Sequence, residues 1–255
     1  MAMQHPLIDK RQKKPRVIRV TSTNEDITIQ QIEKYKYGKA ELQFVTPNFV
    51  SLFINAYHRE FDIASSIYQE VIKPKQSEHF RFQISENDTV RMYDYFEHIQ
   101  AAVVMIYSAV ECLTNVLIPD EFTISETNKE GTNIIRDKSY IERNYSTEYK
   151  LKKIIPKALN IQNPSTFKCW SKFTELAKIR NNIIHMKSSP TKQEKIISLL
   201  LNENIFNKLR STFELIKELS KLNPFHHEFP ILRNTETLEP IIVDRWEDEF
   251  SKTDD

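Results

Sequence analysis

Trp170-Ser171-Lys172-Phe173-Thr174-Glu175-Leu176-Ala177-Lys178-Ile179-Arg180-Asn181-Asn182-Ile183-Ile184-His185 is the stretch on which the fold turns. Its apolar residues recur at helical spacing, and the run predicts a helix from Asn163-Pro164 to about Lys187. At about 100° per residue, Trp170, Phe173, Ala177, Arg180 and Ile184 share one stripe. Arg180 therefore occupies a position that its neighbours mark as core or interface. Desolvating an unpaired guanidinium costs several kcal/mol, so the position demands a partner. Beside it runs a polar stripe of Ser171, Thr174, Lys178, Asn181 and His185. His185 lies about 140° round from Arg180 and about one and a half turns along. The two side chains could converge at a groove edge, above all where a symmetric partner supplies a second copy. Spacing alone leaves a plainer arrangement open, in which Arg180 pairs with a core carboxylate and His185 caps the helix end.

Working outward, Thr46-Pro47 reads as a helix start with proline at the first helical position. Phe49, Phe53, Tyr57, Phe61, Ala64, Ile67 and Val71 then recur at helical spacing until Pro74, which should end the run. Ser85 with Asp88 resembles a capping box and opens a long helix to about Ile118, stopped by Pro119. Residues 119–145 look polar and loop-like, with room for a short helix inside. Ser146 starts a third helix that Pro156 should end or kink. Ser189-Pro190 starts another segment, and Glu203 to Leu222 makes the last long helix. Short strands are expected at Arg16–Thr23, Glu41–Val45 and Phe80–Ile84, forming a small peripheral sheet. The expected architecture is mainly α: a basic arm with short strands at 1–45, a bundle of four or five helices at 46–222, and an extended acidic tail at 223–255.

Composition narrows the chemistry. The 255 residues include only two glycines, Gly38 and Gly131, where average usage gives roughly 18. A P-loop or a Rossmann phosphate turn needs clustered glycines, so neither can be built. Lys and Arg total 36 against 35 Asp and Glu, but the charge is uneven. Residues 1–40 carry nine basic and four acidic side chains, and residues 241–255 carry two and six. The basic arm, with Lys13, Lys14 and Arg16, could touch nucleic acid phosphates or simply be a solvated terminus.

The N-terminus lacks the apolar region of a signal peptide. The longest unbroken apolar run, Ala101 to Tyr107, is far too short for a bilayer. Mean hydropathy is −0.52, the value of a soluble chain. Cys112 and Cys169 give neither zinc spacing nor a disulfide framework. A cytoplasmic, reducing compartment with no membrane partner is the expectation.

Arg180-Asn181-x-x-x-His185 resembles the Arg-x(4–6)-His signature of the HEPN superfamily (higher eukaryotes and prokaryotes nucleotide-binding). Asn181 fits the polar residue that often follows the arginine there. The helix Trp170–His185 is similar to the signature helix of that family, late in an α-bundle. Tyr107-Ser108-Ala109-Val110-Glu111-Cys112-Leu113 resembles its acid-bearing helix. The resemblance covers about residues 46–222. It implies an HEPN-like bundle acting as a homodimer, and a metal-independent endoribonuclease without cofactor. Toxin or abortive-infection roles, with a possible inhibitor or antitoxin protein, belong to the same implication.

The residue types suit that chemistry. RNA can be cut by its own 2′-OH attacking the adjacent phosphate. A histidine titrates near neutrality and can move the proton. Arginine's fork matches phosphate oxygens. His185 is thus assigned to proton transfer, Arg180 to phosphate binding and Asn181 to orienting the phosphate or the 2′-OH. Lys178, Lys13, Lys14 and Arg16 would add phosphate contacts. Glu111 shares a stripe with Glu97, Gln100, Ser108 and Asn115, which is either a solvent face or, on the family analogy, the place of an acid that pairs with Arg180 or orients His185.

Two other readings stay open: a non-catalytic RNA- or nucleotide-binding subunit, and a structural helical adaptor. The adaptor would be favoured by a monomer with Arg180 buried against Glu111 and His185 facing solvent. Tyr140 and Tyr145, beside Arg136, Lys138 and Arg143, could stack on bases or belong to an ordinary loop. His58, His79 and His98 lack metal spacing, and His226-His227 reads as surface.

Overall fold

The computed structural model describes residues 9–76, 85–127, 131–186, 188–222, 229–230 and 241–245. In chain order come β1 (Arg16–Val20), β2 (Glu25–Ile29), β3 (Ile32–Tyr37) and β4 (Ala40–Val45). They are followed by α1 (Phe49–Ile67), α2 (Lys73–Gln76), α3 (Glu86–Val116), β5 (Ile124–Thr127) and β6 (Asn133–Arg136). Then come α4 (Lys138–Asn144), α5 (Thr147–Tyr149), α6 (Ile155–Leu159), α7 (Trp170–Ile184), α8 (Pro190–Leu201), α9 (Asn204–Leu222) and β7 (Ile241–Val243). The protein is mainly helical with small sheets. It divides into two compact units, one of Met1–Leu52 with Asn223–Asp255 and one of Phe53–Leu222.

In the first unit β1 is a central strand, not part of an arm. It pairs antiparallel with β2, Ile18 opposite Ile27, and parallel with β7, Ile18 opposite Ile241. Ile18, Val20 and Val243 form a buried cluster that Ile29 covers. Arg16–Val20 of the basic stretch and Ile241–Val243 of the expected tail therefore share one sheet. Deleting the first nineteen residues would remove its central strand. A separate hairpin joins β3 and β4, with Tyr37 opposite Ala40. Gly38, at φ 62°, opens its two-residue turn. A primed turn with glycine at the first central position requires that positive φ.

The second unit is the helical body. Long helices α3, α7 and α9 pack on one another, and α8 joins α3, α7 and α9. Capping explains the starts. The Ser85 hydroxyl accepts from the Asp88 amide at 3.1 Å to open α3, and Ser146 accepts from Tyr149 to open α5. Pro190 takes the first position of α8. For α1 the cap is Asn48, whose side chain accepts from the Ser51 amide at 3.0 Å, so the helix begins past the Thr46-Pro47 pair. Asn163-Pro164 opens only a short 3-10 turn, Pro164–Thr166, and α7 starts at Trp170.

Pro74, expected to end its helix, does not, and at Pro156, expected to end or kink its helix, the chain stays helical behind a local irregularity. A π-helical turn at Tyr68–Ile72 carries the chain through Pro74, and another at Lys150–Ile154 carries it past Pro156. In each, the residue just before proline donates its amide five residues back, Lys73 to Tyr68 and Ile155 to Lys150. The widened turn makes room for a ring that would clash with a carbonyl in a regular helix. Residues 119–145 hold α4, the short helix that the stretch had room for, and also the β5–β6 hairpin, which was not expected. The expected strand at Phe80–Ile84 lies outside the described residues.

Helix α3 is long and apolar enough, by length and composition, to cross a membrane. Its apolar residues, from Tyr95 through Ile99, Val103 and Ile106 to Leu113, are those buried in the bundle. Phe173 of α7 is fully buried, stacked on Tyr107 and tilted against Trp170 at ring separations of 6.1 and 5.5 Å. Phe173→Ala should cost about 3–5 kcal/mol. For a domain of this size that lowers the melting temperature by roughly 6–20 °C. Circular dichroism melts check it, and a shift below about 2 °C would show that this ring stack is not a core element.

Candidate functional site

Helix α7 ends at Ile184, and His185 is its C-cap, with its amide donating to the Asn181 carbonyl. The expected stripe runs from core to surface along the helix. Phe173 and Ala177 are buried, Arg180 is half-buried, and Ile184 is 49% exposed. Two helices and one short segment meet around Arg180. Helix α3 brings Tyr107, Glu111 and Asn115, spaced four apart and so on one face. Helix α7 brings Arg180 and Asn181. Thr147 comes from α5 and Lys150 from the π turn that follows it.

The Arg180 guanidinium lies over the Tyr107 ring at 4.8 Å. That is a cation–π contact, and Phe173 stacks on the same ring. Nη1 of Arg180 donates to Asn181 Oδ1 at 3.1 Å. Nη2 stands 3.8 Å from Glu111 Oε2, which is ion-pair range but beyond a hydrogen bond. Its Nε is buried and finds no hydrogen-bond partner among the described residues. A buried unsatisfied donor is rare enough to need a reason. Arg180 is thus held in place by a ring and by one amide, with donor capacity left over.

Around Glu111 the structure adds residues that the motif did not name. The Thr147 hydroxyl reaches Glu111 Oε1 at 3.5 Å. Lys150 is buried, and its Nζ donates to Asn115 Oδ1 at 2.6 Å and to the Glu142 carbonyl at 3.3 Å. Burial pushes the Lys150 ammonium below the usual lysine range, and the nearby Glu111 and Glu142 charges oppose that shift. Burial likewise pushes the Tyr107 phenol up, opposed by a hydrogen bond with Thr147 and by the Arg180 charge. The Glu111 stripe is therefore not a bare solvent face. Glu111 itself is 41% exposed at the side chain, while Thr147 and Lys150 cover its neighbourhood.

The remaining expected residues are placed as follows. His185, Asn181 and Lys178 are exposed. The His185 imidazole makes no hydrogen bond or ion pair among the described residues. Lys13, Lys14 and Arg16 lie in the first unit, where Lys13 is tied through its backbone to Thr46 and Gln30. Tyr140 and Tyr145 are not open stacking platforms. Arg136 covers the Tyr140 ring at 4.0 Å, and Tyr145 packs between Tyr140 and Tyr149. His98 pairs with Glu60 at 2.6 Å, which holds the Glu60 carboxyl below its usual range. The His58 ring stands edge-on to Phe213. Cys169 is buried and Cys112 is half-buried. His79, His226 and His227 lie outside the described residues. Among the described residues, no three His, Cys, Asp or Glu side chains gather within metal-binding range.

Tyr107 was legible as the residue four before Glu111, hence on the same face. Thr147 and Lys150 carry no sequence signal, because only the folding of a distant segment brings them to α3. Comparison with known proteins finds no matching family model, no matching curated protein and no matching solved structure, so the reading of this site rests on its own residues.

Proposed function

We propose that this chain is a metal-independent endoribonuclease of HEPN type, acting in the cytoplasm as a toxin-like or antiviral effector. The observation that carries the reading is Arg180. Its guanidinium is fixed over Tyr107, close to Glu111 without a hydrogen bond to it, and its buried Nε lacks a partner. A phosphate oxygen would meet the Nη donors, which are not buried and of which only Nη1 has a hydrogen-bond partner among the described residues. In this reading Arg180 binds the scissile phosphate, Asn181 orients it, and Glu111 fixes the guanidinium from its other side. His185 moves the proton as the 2′-oxygen attacks phosphorus and the bond to the 5′-oxygen breaks. Exposed Lys178, one turn before Asn181, adds a phosphate contact. The test is incubation of the purified protein with bulk RNA beside a His185→Ala control. Fragmentation by the parent alone supports the reading. No fragmentation by either, or equal fragmentation by both, overturns it.

A structural adaptor is the second reading, and two observations favour it. Arg180 stands within ion-pair range of Glu111, and His185 faces solvent. An adaptor does not cut RNA, so the same experiment separates the two.

The proposed enzyme is a homodimer with two motifs facing each other. Ile184 and Met186, on either side of His185, are 49% and 47% exposed, and a partner subunit would cover them. Ile184→Asp should then weaken the dimer about 10–100-fold, as expected for losing one buried aliphatic side chain. Sedimentation equilibrium reads this directly. A wild-type monomer at high micromolar concentration would remove the dimer from the proposal.

A further inference from the structure

Among the described residues, Lys150 is the one charged side chain that is fully buried, at 1% exposed. Its Nζ donates to the Asn115 side-chain oxygen at 2.6 Å and to the Glu142 backbone carbonyl at 3.3 Å. Both acceptors are neutral, and Lys150 forms no ion pair among the described residues. A buried charge with no opposite charge in contact costs several kcal/mol. Holding the helices together does not require it, since a well-packed apolar side chain of similar volume does that as well or better. Lys150 also opens the π turn Lys150–Ile154, and single π turns are frequent at functional sites.

Beside this ammonium lies the Arg180 site. Asn115, its acceptor, stands one turn beyond Glu111 on α3. Thr147, one turn before Lys150, reaches Glu111 Oε1 with its hydroxyl at 3.5 Å. The Glu111 charge opposes the effect of burial on the Lys150 ammonium, so the two attract without touching. The other carboxylate oxygen, Oε2, stands 3.8 Å from Arg180 Nη2. Glu111 is thus shared between the Thr147–Lys150 segment and Arg180. A shift of about 0.8 Å toward Arg180 would turn the second contact into a hydrogen-bonded ion pair. Such a closed pair would occupy Nη2 and neutralise the guanidinium, and a phosphate oxygen needs both the donor and the charge.

We propose that Lys150 is a positioning residue of the phosphate site: its buried positive charge holds the Glu111 carboxylate toward Thr147 and so keeps Arg180 open to a phosphodiester. The inference rests on the reading of Arg180 as the phosphate ligand.

The test is a double-variant cycle on binding, read by fluorescence anisotropy with the full chain and labelled 2′-O-methyl U12, which lacks the 2′-OH that the proposed cleavage needs. Lys150→Met, of similar shape without the charge, weakens binding by about 5-fold or more. In a Glu111→Gln background the same substitution changes affinity by less than about 2-fold, because no carboxylate is left to close on the guanidinium. Lys150→Gln, which keeps a donor for Asn115 but not the charge, behaves as Lys150→Met does. Thermal melts accompany each variant. A strut between α3 and α4 predicts a different pattern: affinity falls equally in both backgrounds, follows the melting temperature and recovers in Lys150→Gln. That pattern overturns the proposal, as does unchanged binding in Lys150→Met or loss of the fold in both Lys150 variants. Arg180→Ala separates this inference from the reading beneath it. Binding that falls in Arg180→Ala but not in Lys150→Met refutes only the role of Lys150. Binding that Arg180→Ala leaves untouched refutes the phosphate site and this inference with it.

Discussion

Arg180→Ala is expected to slow RNA cleavage by about 10²–10³-fold, the usual loss when one preorganised donor to a developing anion is removed. The variant should keep its helical content. The interactions it gives up are a half-exposed ion-pair contact at 3.8 Å, an exposed hydrogen bond to Asn181 and a ring contact, and pairs near solvent contribute only about 0–1 kcal/mol. Arg180→Lys should be impaired as well. An ammonium is a point charge and cannot make the planar two-point contact with phosphate oxygens. His185→Ala should cost about 10²–10⁴-fold, the range for a general acid or base. Because His185 is exposed, its loss should leave the melting temperature unchanged. Cleavage rates measured beside thermal melts distinguish the readings. A His185→Ala protein with full activity would move the site elsewhere. An Arg180→Ala protein that melts several degrees lower, in a parent that never cut RNA, would point to an adaptor.

How much of this was legible in the sequence depended on how local the cause was. The starts of α3, α5 and α8 follow from Ser85, Ser146 and Ser189-Pro190, each a hydroxyl or ring acting on the next few residues. The end of α3 before Pro119 follows for the same reason. Pro74 misled, and the ending allowed at Pro156 did not occur, because the rule assumes a regular α turn. A π turn before each moves the hydrogen bond one residue further back and removes the clash. Strand β3 had a readable signal in Tyr35-Lys36-Tyr37 before Gly38-Lys39, an alternation followed by a turn. Strand β7 had none. Its partner β1 lies more than two hundred residues away, and a parallel pairing leaves no mark on either local sequence. The site divides in the same way. The spacing of Arg180, Asn181 and His185 was readable on one helix, and Tyr107 with Glu111 on another. That the two helices meet, with Lys150 buried beside them, follows only from the packed bundle.

Replacing the 2′-OH at the cleaved nucleotide should abolish cleavage, and this is the largest effect expected of the proposed chemistry. The assigned residues move a proton and hold a phosphate, but none is a nucleophile within that set. The attacking oxygen must then come from the substrate. The 2′-oxygen forms a bond to phosphorus, the bond to the 5′-oxygen breaks, and the departing oxygen takes a proton. The products are a 2′,3′-cyclic phosphate and a 5′-OH. DNA, and RNA with 2′-O-methyl at the scissile position, should therefore survive conditions in which the parent RNA is fully cut, while still binding through their phosphates. Because Arg180 supplies the fixed positive charge at the phosphate, cleavage should persist in excess EDTA. End-group analysis of the fragments checks the assignment. Fragments with a 5′-phosphate, or a rate that disappears with EDTA and returns with Mg²⁺, would require an activated water at a bound ion instead, and would take the reaction away from Arg180 and His185.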